Sequence, residues 1–185
     1  MLNMSVESAL DQLIERYQQA YQQAGVTLVT EAHDEWQAPI YGERVDDDMV
    51  EWLPVRQSSA LQFTDLANAL EQPFHTSLEA LYGRWFAADL NVSFANHPLV
   101  LLQLHGPEDG ERLQANLAGH VLMKRRLRQP ITLFIGLAEE SDDLLITLNN
   151  ETGQVGLEFV GREQHEILAE TLEEFLQQLQ PRVVE

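Results

Sequence analysis

Thirty Asp and Glu residues against eleven Lys and Arg give this 185-residue chain a formal net charge of −19, and any fold must keep those carboxylates apart. Hydrophobic residues still make up 44% of the chain, enough for a sizeable core and too many for a disordered acidic tail. The length fits one domain, which we expect to span residues 1–185. Because folding must overcome self-repulsion, we expect stability to improve with moderate salt.

The acidic residues occur in runs along the chain. A surface that carries them repels nucleic acid and anionic lipid and attracts a positively charged partner, and salt weakens that attraction. We therefore predict that the runs form a binding surface for a basic partner. The candidate residues are Glu31, Asp34, Glu35, Glu43, Asp46, Asp47, Asp48, Glu51, Glu139, Glu140, Asp142 and Asp143.

The basic residues concentrate in residues 107–128, which hold five bases and three acids, whereas the rest of the chain holds six bases and 27 acids. Pro107 and the acids after it suit the start of a helix, and the bases from Lys124 to Arg128 suit its end, because both complement the helix dipole. Some of these bases can also pair with the surplus carboxylates. We expect no nucleic-acid binding, since the overall field opposes it.

Three further features of the sequence favour a cytosolic protein. The chain has no cysteine, which excludes disulfides and thiolate metal sites. Residues 1–10 lack the basic and apolar regions of a signal peptide, and the longest apolar runs are far too short to span a bilayer. We expect the protein to reach a membrane only through a protein partner.

Hydrophobic periodicity separates the chain into helical and extended segments. The predicted helices cover residues 6–24, 64–70, 76–86, 107–128 and 167–179. The predicted strands cover residues 50–55, 90–94, 99–104, 132–137, 144–148 and 155–160. Residues 26–49 are polar and acidic, and we interpret them as a long connection with at most one short strand.

The order of these elements predicts the fold class. Strands that follow one another through short turns pair antiparallel, and helices must bury their apolar stripes against the resulting sheet. We predict a single α+β domain with a mostly antiparallel sheet and with helices packed on one side.

Motifs for catalysis are missing from the sequence. There is no Walker loop, no G-x-S-x-G and no G-x-G-x-x-G, and the six histidines lack metal-ligand spacing. Asp46–Asp48 could hold Mg²⁺, but such a site also needs ligands from elsewhere. The acidic runs could also be solvated loops without a partner. We expect no enzyme activity, no cofactor and no metal.

Two tryptophans, Trp36 and Trp52, flank the first acidic run, and two interpretations of them stay open. Each ring could simply cover the core. Alternatively, both could belong to the partner-binding surface, where cation–π contact with Lys or Arg would add to charge pairing.

Several segments resemble one protein family. The stretches Asn116–His120, Lys124–Leu127 and Pro130–Ile135 are similar to the central block of the Syd family of SecY-interacting proteins. Leu99–Gln103 resembles the family's preceding strand, and Ala169–Leu179 resembles its C-terminal helix. Residues 25–62 match the family poorly in detail. The resemblance therefore covers essentially the whole chain and is strongest from residue 99 to residue 179.

The resemblance implies a small bacterial cytosolic protein with a fold similar to the SUKH superfamily. Members of the family associate peripherally with the cytoplasmic face of the inner membrane by binding SecY, the channel of the export translocase. The family is proposed to check SecY assembly and to restrain aberrant translocase, through a concave acidic face that receives basic cytosolic loops. This agrees with the charge argument, because cytosolic loops of membrane proteins are rich in Lys and Arg. We expect a monomer with SecY as its partner.

Two other functions remain open from the sequence. An acidic immunity-type or mimic protein, as in SUKH relatives, would bind a soluble basic partner by the same electrostatics. A small hydrolase would use Asp46, Asp48 and His33, although no nucleophile arrangement supports it.

Overall fold

The computed structural model describes residues 4–185, and within that range the chain forms an α+β fold. The helices are α1 (Val6–Ala24), α2 (Thr64–Leu70), α3 (Thr76–Tyr82), α4 (Pro107–Arg126) and α5 (Leu172–Gln178). The strands are β1 (Val29–Glu31), β2 (Tyr41–Arg44), β3 (Met49–Trp52), β4 (Val55–Arg56), β5 (Trp85–Phe86), β6 (Leu90–Phe94), β7 (His97–Leu101), β8 (Thr132–Ala138), β9 (Leu144–Asn149), β10 (Val155–Phe159), β11 (Glu166–Ala169) and β12 (Gln180–Pro181).

The largest sheet has seven strands in the order β11-β10-β9-β8-β7-β6-β12, and all its pairings are antiparallel. Short connections join β6 to β7 and link β8 through β11, whereas β7 reaches β8 through α4. Two smaller antiparallel sheets have the orders β1-β3-β2 and β4-β5. The predicted α+β class with its antiparallel sheet is confirmed.

Helix α1 supplies much of the core and begins and ends where the sequence predicts. Leu10 and Leu13 are fully buried, and the helix packs along α5. The Ser5 side chain accepts the Ser8 N–H at 3.1 Å, which satisfies one free donor of the first turn. Gly25 ends the helix with a backbone φ of +70°, a conformation that residues with a Cβ rarely adopt.

Helix α4 runs from Pro107 to the basic cluster, and the predicted pairing of that cluster with carboxylates holds for Lys124. This side chain is fully buried, with its Nζ 2.6 Å from Oε2 of the equally buried Glu158. The ammonium also donates to Oε1 of Gln129 at 3.0 Å and to the carbonyl oxygen of Arg162 at 2.8 Å. The pair ties the end of α4 to β10 and to the loop after it.

Two predicted helices are wrong at one end. The helix from Thr76 ends at Tyr82, and the residues after it form β5, which pairs with β4. The predicted helix from residue 167 begins only at Leu172, where the Thr171 hydroxyl accepts the Glu174 N–H at 3.2 Å. The residues before it form edge strand β11, because apolar side chains there satisfy the strand period as well as the helical one.

Residues 26–49 contain more regular structure than predicted. They hold β1 and β2, and both pair with β3 to make a separate three-stranded sheet. Strand β3 ends at Trp52, so the predicted strand over residues 50–55 is shorter and is followed by β4. The expectation of a connection with at most one strand is therefore wrong.

The Lys124–Glu158 pair predicts a non-additive effect on stability. Glu158→Leu leaves the ammonium of Lys124 buried without its counter-ion, and we expect the unfolding free energy to fall by about 3–5 kcal/mol. The double variant Lys124→Met/Glu158→Leu removes both charges and should recover about half of that loss. Urea unfolding of the wild type, of Lys124→Met, of Glu158→Leu and of the double variant measures these changes in unfolding free energy. A double variant that loses the sum of the single losses would contradict the expectation.

Candidate functional site

The three-stranded sheet carries the first group of predicted binding residues. We call residues 29–52 the acidic insert. They contain eight acids and one base, Arg44, which gives a local charge of −7. The acids are Glu31, Asp34, Glu35, Glu43, Asp46, Asp47, Asp48 and Glu51. The structure thus gathers two of the predicted runs into one small unit.

In the three-stranded sheet of the insert, side chains alternate between an inner and an outer face. Val50 and Trp52 of β3 point inward and are 3% and 4% exposed. Their neighbour Glu51 points outward. Glu31 of β1 points outward as well, because it pairs with Met49, two positions before Glu51. Directly diagonal positions on one sheet face lie about 7–8 Å apart. Two carboxylates therefore stand close together on the outer face.

The turn between β2 and β3 presents the aspartate triplet. Oδ1 of Asp46 accepts the N–H groups of Asp48 and Met49, each at 2.8 Å, so this carboxylate shapes the turn. Arg44 donates to the carbonyl oxygen of Asp47 at 2.9 Å and pairs with Asp34. The triplet is exposed throughout.

Aromatic and imidazole rings attach the insert to the start of α4. The Tyr41 hydroxyl is hydrogen-bonded to Nδ1 of His105 at 2.7 Å, and it accepts the His33 N–H at 3.2 Å. The Trp36 ring stacks on His33 with centroids 4.2 Å apart, and the Arg112 guanidinium lies 5.3 Å from the Trp36 ring centroid. These contacts fix the acidic insert to the rest of the fold.

The two tryptophans therefore have different positions. Trp36 is half-buried at the junction between the insert and α4, and its ring is partly accessible. Trp52 is 4% exposed, with its ring centroid 6.4 Å from that of Tyr17 on α1. Trp52 therefore belongs to the core and exposes almost none of its surface to a partner, whereas Trp36 remains a candidate contact.

The second group of predicted residues lies in the loop between β8 and β9. Glu139 is paired with Arg182 at 2.8 Å, and Glu140 contacts His97 at the start of β7. Asp142 and Asp143 are exposed and follow in the same loop. This acidic loop contains Glu139, Glu140, Asp142 and Asp143.

The two acidic groups lie at opposite ends of the seven-stranded sheet. The acidic loop contacts His97, where β7 begins, whereas the insert contacts His105, four residues beyond the end of β7. Extended chain rises about 3.3 Å per residue, so the eight residues from His97 to His105 separate these contacts by up to about 26 Å. The predicted residues do not form one continuous patch.

A groove between α4 and the sheet connects these two ends. It has a volume of about 480 Å³ and an apolar floor that includes Phe134, Leu137 and Leu145. Asp109 and Arg112 stand at the insert end, beside Trp36. At the other end lies Val160, whose N–H donates to the carbonyl oxygen of Asp143 in the acidic loop at 2.9 Å.

The groove also contains Asp89, a carboxylate that no sequence pattern indicates. Oδ1 of Asp89 accepts the Gln103 N–H at 2.8 Å, and the side chain keeps one side open to solvent. The surrounding groups remove part of its hydration, which raises the pKa of Asp89 to about 6, and the charge of Asp109 adds to this effect. An isolated acid between two strands has no sequence signal, because only the fold brings it beside α4.

Residues 4–185 contain neither a metal-binding cluster nor a membrane-spanning helix. In this part of the chain, no group of three or more His, Asp or Glu side chains is arranged to hold a metal ion. No helix in the same range is long and apolar enough to cross a bilayer.

The fold and these surfaces describe an α+β protein with an antiparallel sheet and two separated acidic surfaces. Comparison with known proteins gives its family. The family model of the Syd protein (SUKH-2) matches residues 7–181. A Protein Syd from Idiomarina loihiensis is 48% identical, with 97% of this chain and 96% of the relative covered.

Other relatives agree over similar lengths. A Protein Syd from Pseudoalteromonas translucida is 40% identical, with 96% of this chain and 99% of the relative covered. One from Alteromonas mediterranea is 38% identical, with 96% of this chain and 97% of the relative covered. The chain belongs to the Syd family, as its resemblance indicated.

The junction of the insert predicts a dependence of stability on pH. Burial lowers the pKa of His105 to about 4, although the charge of Asp109 opposes this. Because the folded pKa lies below the ordinary value of about 6.5, the folded state binds fewer protons, and stability falls as pH drops from 6.5 toward 4. His105→Asn keeps a polar group facing Tyr41 but does not titrate. Relative to the wild type, we expect this variant to gain about 2 kcal/mol between pH 7 and pH 5.

Urea unfolding of both proteins across this pH range measures the difference. The comparison isolates His105, because the other titrating groups, including Asp89, are the same in both proteins. A difference that stays constant with pH would contradict the expectation.

Proposed function

We propose that this protein docks on the basic cytosolic loops of the SecY channel and restrains or quality-checks it. The observation that carries the proposal is the acidic insert, in which eight carboxylates face one base and rings hold the unit against α4. The acidic loop at the far end of the groove adds a second attractive region. The protein acts by binding and not by catalysis.

Charge governs the approach of the partner. The cytosolic loops of membrane proteins are rich in Lys and Arg, and the insert has only Arg44 to repel them. Charge complementarity of this kind raises the association rate more than it raises affinity. Screening by salt should therefore slow docking, since the Debye length is about 8 Å at physiological ionic strength.

The groove gives the docked segment a place and a direction. Between Asp109 and Lys124, α4 rises about 22 Å, which approximates the distance between the two ends of the groove. An extended segment of about seven residues covers this distance. Bases near both ends of such a segment would meet the insert at one end and the acidic loop at the other, with apolar side chains on the floor.

Regulation follows from occupancy. A channel loop held in this groove is not available to the motor ATPase or to the ribosome, so docking inhibits by occlusion. Membrane association is peripheral and on the cytoplasmic side, because the anchor is the partner protein. Membership in the Syd family supports SecY as the partner.

Sedimentation with inverted inner-membrane vesicles tests the proposal. The protein is mixed with vesicles that contain normal or overproduced SecY, across a series of salt concentrations. We expect sedimentation that increases with SecY and fades with salt. No SecY-dependent binding at low salt would refute the proposal, and a soluble basic partner of the immunity type would replace it.

The aspartate triplet gives a kinetic prediction. Asp46→Asn, Asp47→Asn and Asp48→Asn together remove three charges, and the amide oxygen at position 46 can still accept the turn's N–H groups. We expect the association rate with SecY-containing membranes to fall by about tenfold at low salt, with little change in the dissociation rate. Surface plasmon resonance on captured vesicles measures both rates.

A matched control removes the same charge elsewhere. The control is a second triple variant, whose three positions lie outside the insert, on α1 and at α2: Glu15→Gln, Asp65→Asn and Glu71→Gln. Their association rate should stay within about twofold of the wild type, because rim charges far from the contact steer weakly. Equal slowing by both triple variants would indicate that only net charge matters and that the insert is not the docking site.

A further inference from the structure

A second cavity, of about 350 Å³, lies on the other side of the acidic loop from the groove. Successive side chains of β9 point to opposite faces, so Leu145 lines the groove whereas Ile146 lines this cavity. Leu99, Ala138 and Leu157 complete its floor. We call it the sheet-end pocket.

The pocket exists because α5 covers only part of this sheet face. Phe94 stacks on Phe175 of α5 with centroids 5.4 Å apart, and Phe94 is also a wall of the pocket. Beyond that ring the apolar floor is open. On the opposite wall, Ile167 of edge strand β11 is 44% exposed. An apolar concavity left open on a highly charged protein is characteristic of a contact site.

The surroundings of the pocket are acidic. Glu140 and Glu166 line it directly. The two loops beside it, residues 139–143 and 160–166, hold six acids and one base, Arg162, and the nearby Arg182 is already paired with Glu139. With Arg182 counted, the local charge is −4, which repels anionic ligands such as fatty acids and favours a cation-bearing partner.

We propose that the sheet-end pocket receives one bulky apolar side chain of a Lys/Arg-rich partner segment, whose bases pair with the acidic rim. The inference rests on the proposed function, since it names a second contact with the same basic partner. The volume is at the lower end of the range for ligand pockets, so it suits a single aromatic or aliphatic side chain. Lys or Arg on either side of that side chain would face Glu140 and Glu166.

The pocket and the acidic surfaces contribute to different rate constants of binding. Charge raises the association rate, whereas burial of an apolar side chain slows dissociation and so lengthens the lifetime of the complex. An acidic surface alone would bind many basic proteins. A pocket that requires an apolar side chain among the bases adds discrimination between them.

Synthetic peptides provide the test. Two twelve-residue peptides carry the same six lysines and differ only at the centre, with Phe in one and Ser in the other. Isothermal titration calorimetry at low salt compares them on the wild type, on Ala138→Phe, which fills the pocket, and on Ile167→Ser, which removes an exposed wall. Ala115→Phe, which adds the same ring on an exposed position of α4, is the control.

We expect the wild type and Ala115→Phe to bind the Phe peptide at least about tenfold tighter than the Ser peptide. Ala138→Phe should lose this preference while binding of the Ser peptide stays unchanged, and Ile167→Ser should reduce it. Equal binding of both peptides by the wild type, no binding of either, or a preference that survives in Ala138→Phe would overturn the inference.

The vesicle assay separates this inference from the proposed function. If the wild type, Ala138→Phe and Ala115→Phe all sediment equally with SecY-containing vesicles, docking on SecY stands and the pocket inference fails. If none sediments with SecY, the proposed function fails, and the peptide comparison still decides whether the pocket accepts an apolar side chain.

Discussion

The junction of Tyr41, His105, Trp36 and Arg112, with its edge-to-face rings and a hydrogen bond, is the contact on which the position of the acidic insert depends. Seven excess negative charges on residues 29–52 repel one another and the rest of an acidic protein. Polar and aromatic contacts at one edge of the insert hold these residues in place. Burial lowers the pKa of His105, so its imidazole stays neutral at the junction. This junction holds the acidic insert at one end of the groove.

Much of the fold follows from local signals in the sequence. Helix α2 has the predicted bounds, and α1 ends at the predicted glycine, because caps and periodicity agree there. Residues 26–49 predict at most one of the strands β1 and β2, since short strands with mostly exposed side chains show no alternation. The start of α5 was misplaced because Ile167 and Leu168 suit a strand as well as a helix.

The candidate site was predictable in composition but not in arrangement. Runs of carboxylates such as Asp46–Asp48 are visible in the sequence, and so is the lack of bases near them. Their distribution over two ends of the sheet depends on the course of β7 and α4 through the fold, which no local pattern records. The position of Asp89 in the groove and the lining of the sheet-end pocket likewise depend on long-range strand pairing.

The edges of the seven-stranded sheet have a consequence for assembly. One edge strand, β12, has two residues and ends in Pro181, which has no N–H to offer a neighbouring chain. The other, β11, begins with Glu166 and is followed by Glu170, so two such edges repel each other. Molecules at high local concentration are thereby protected from joining edge to edge into continuous sheets and aggregating.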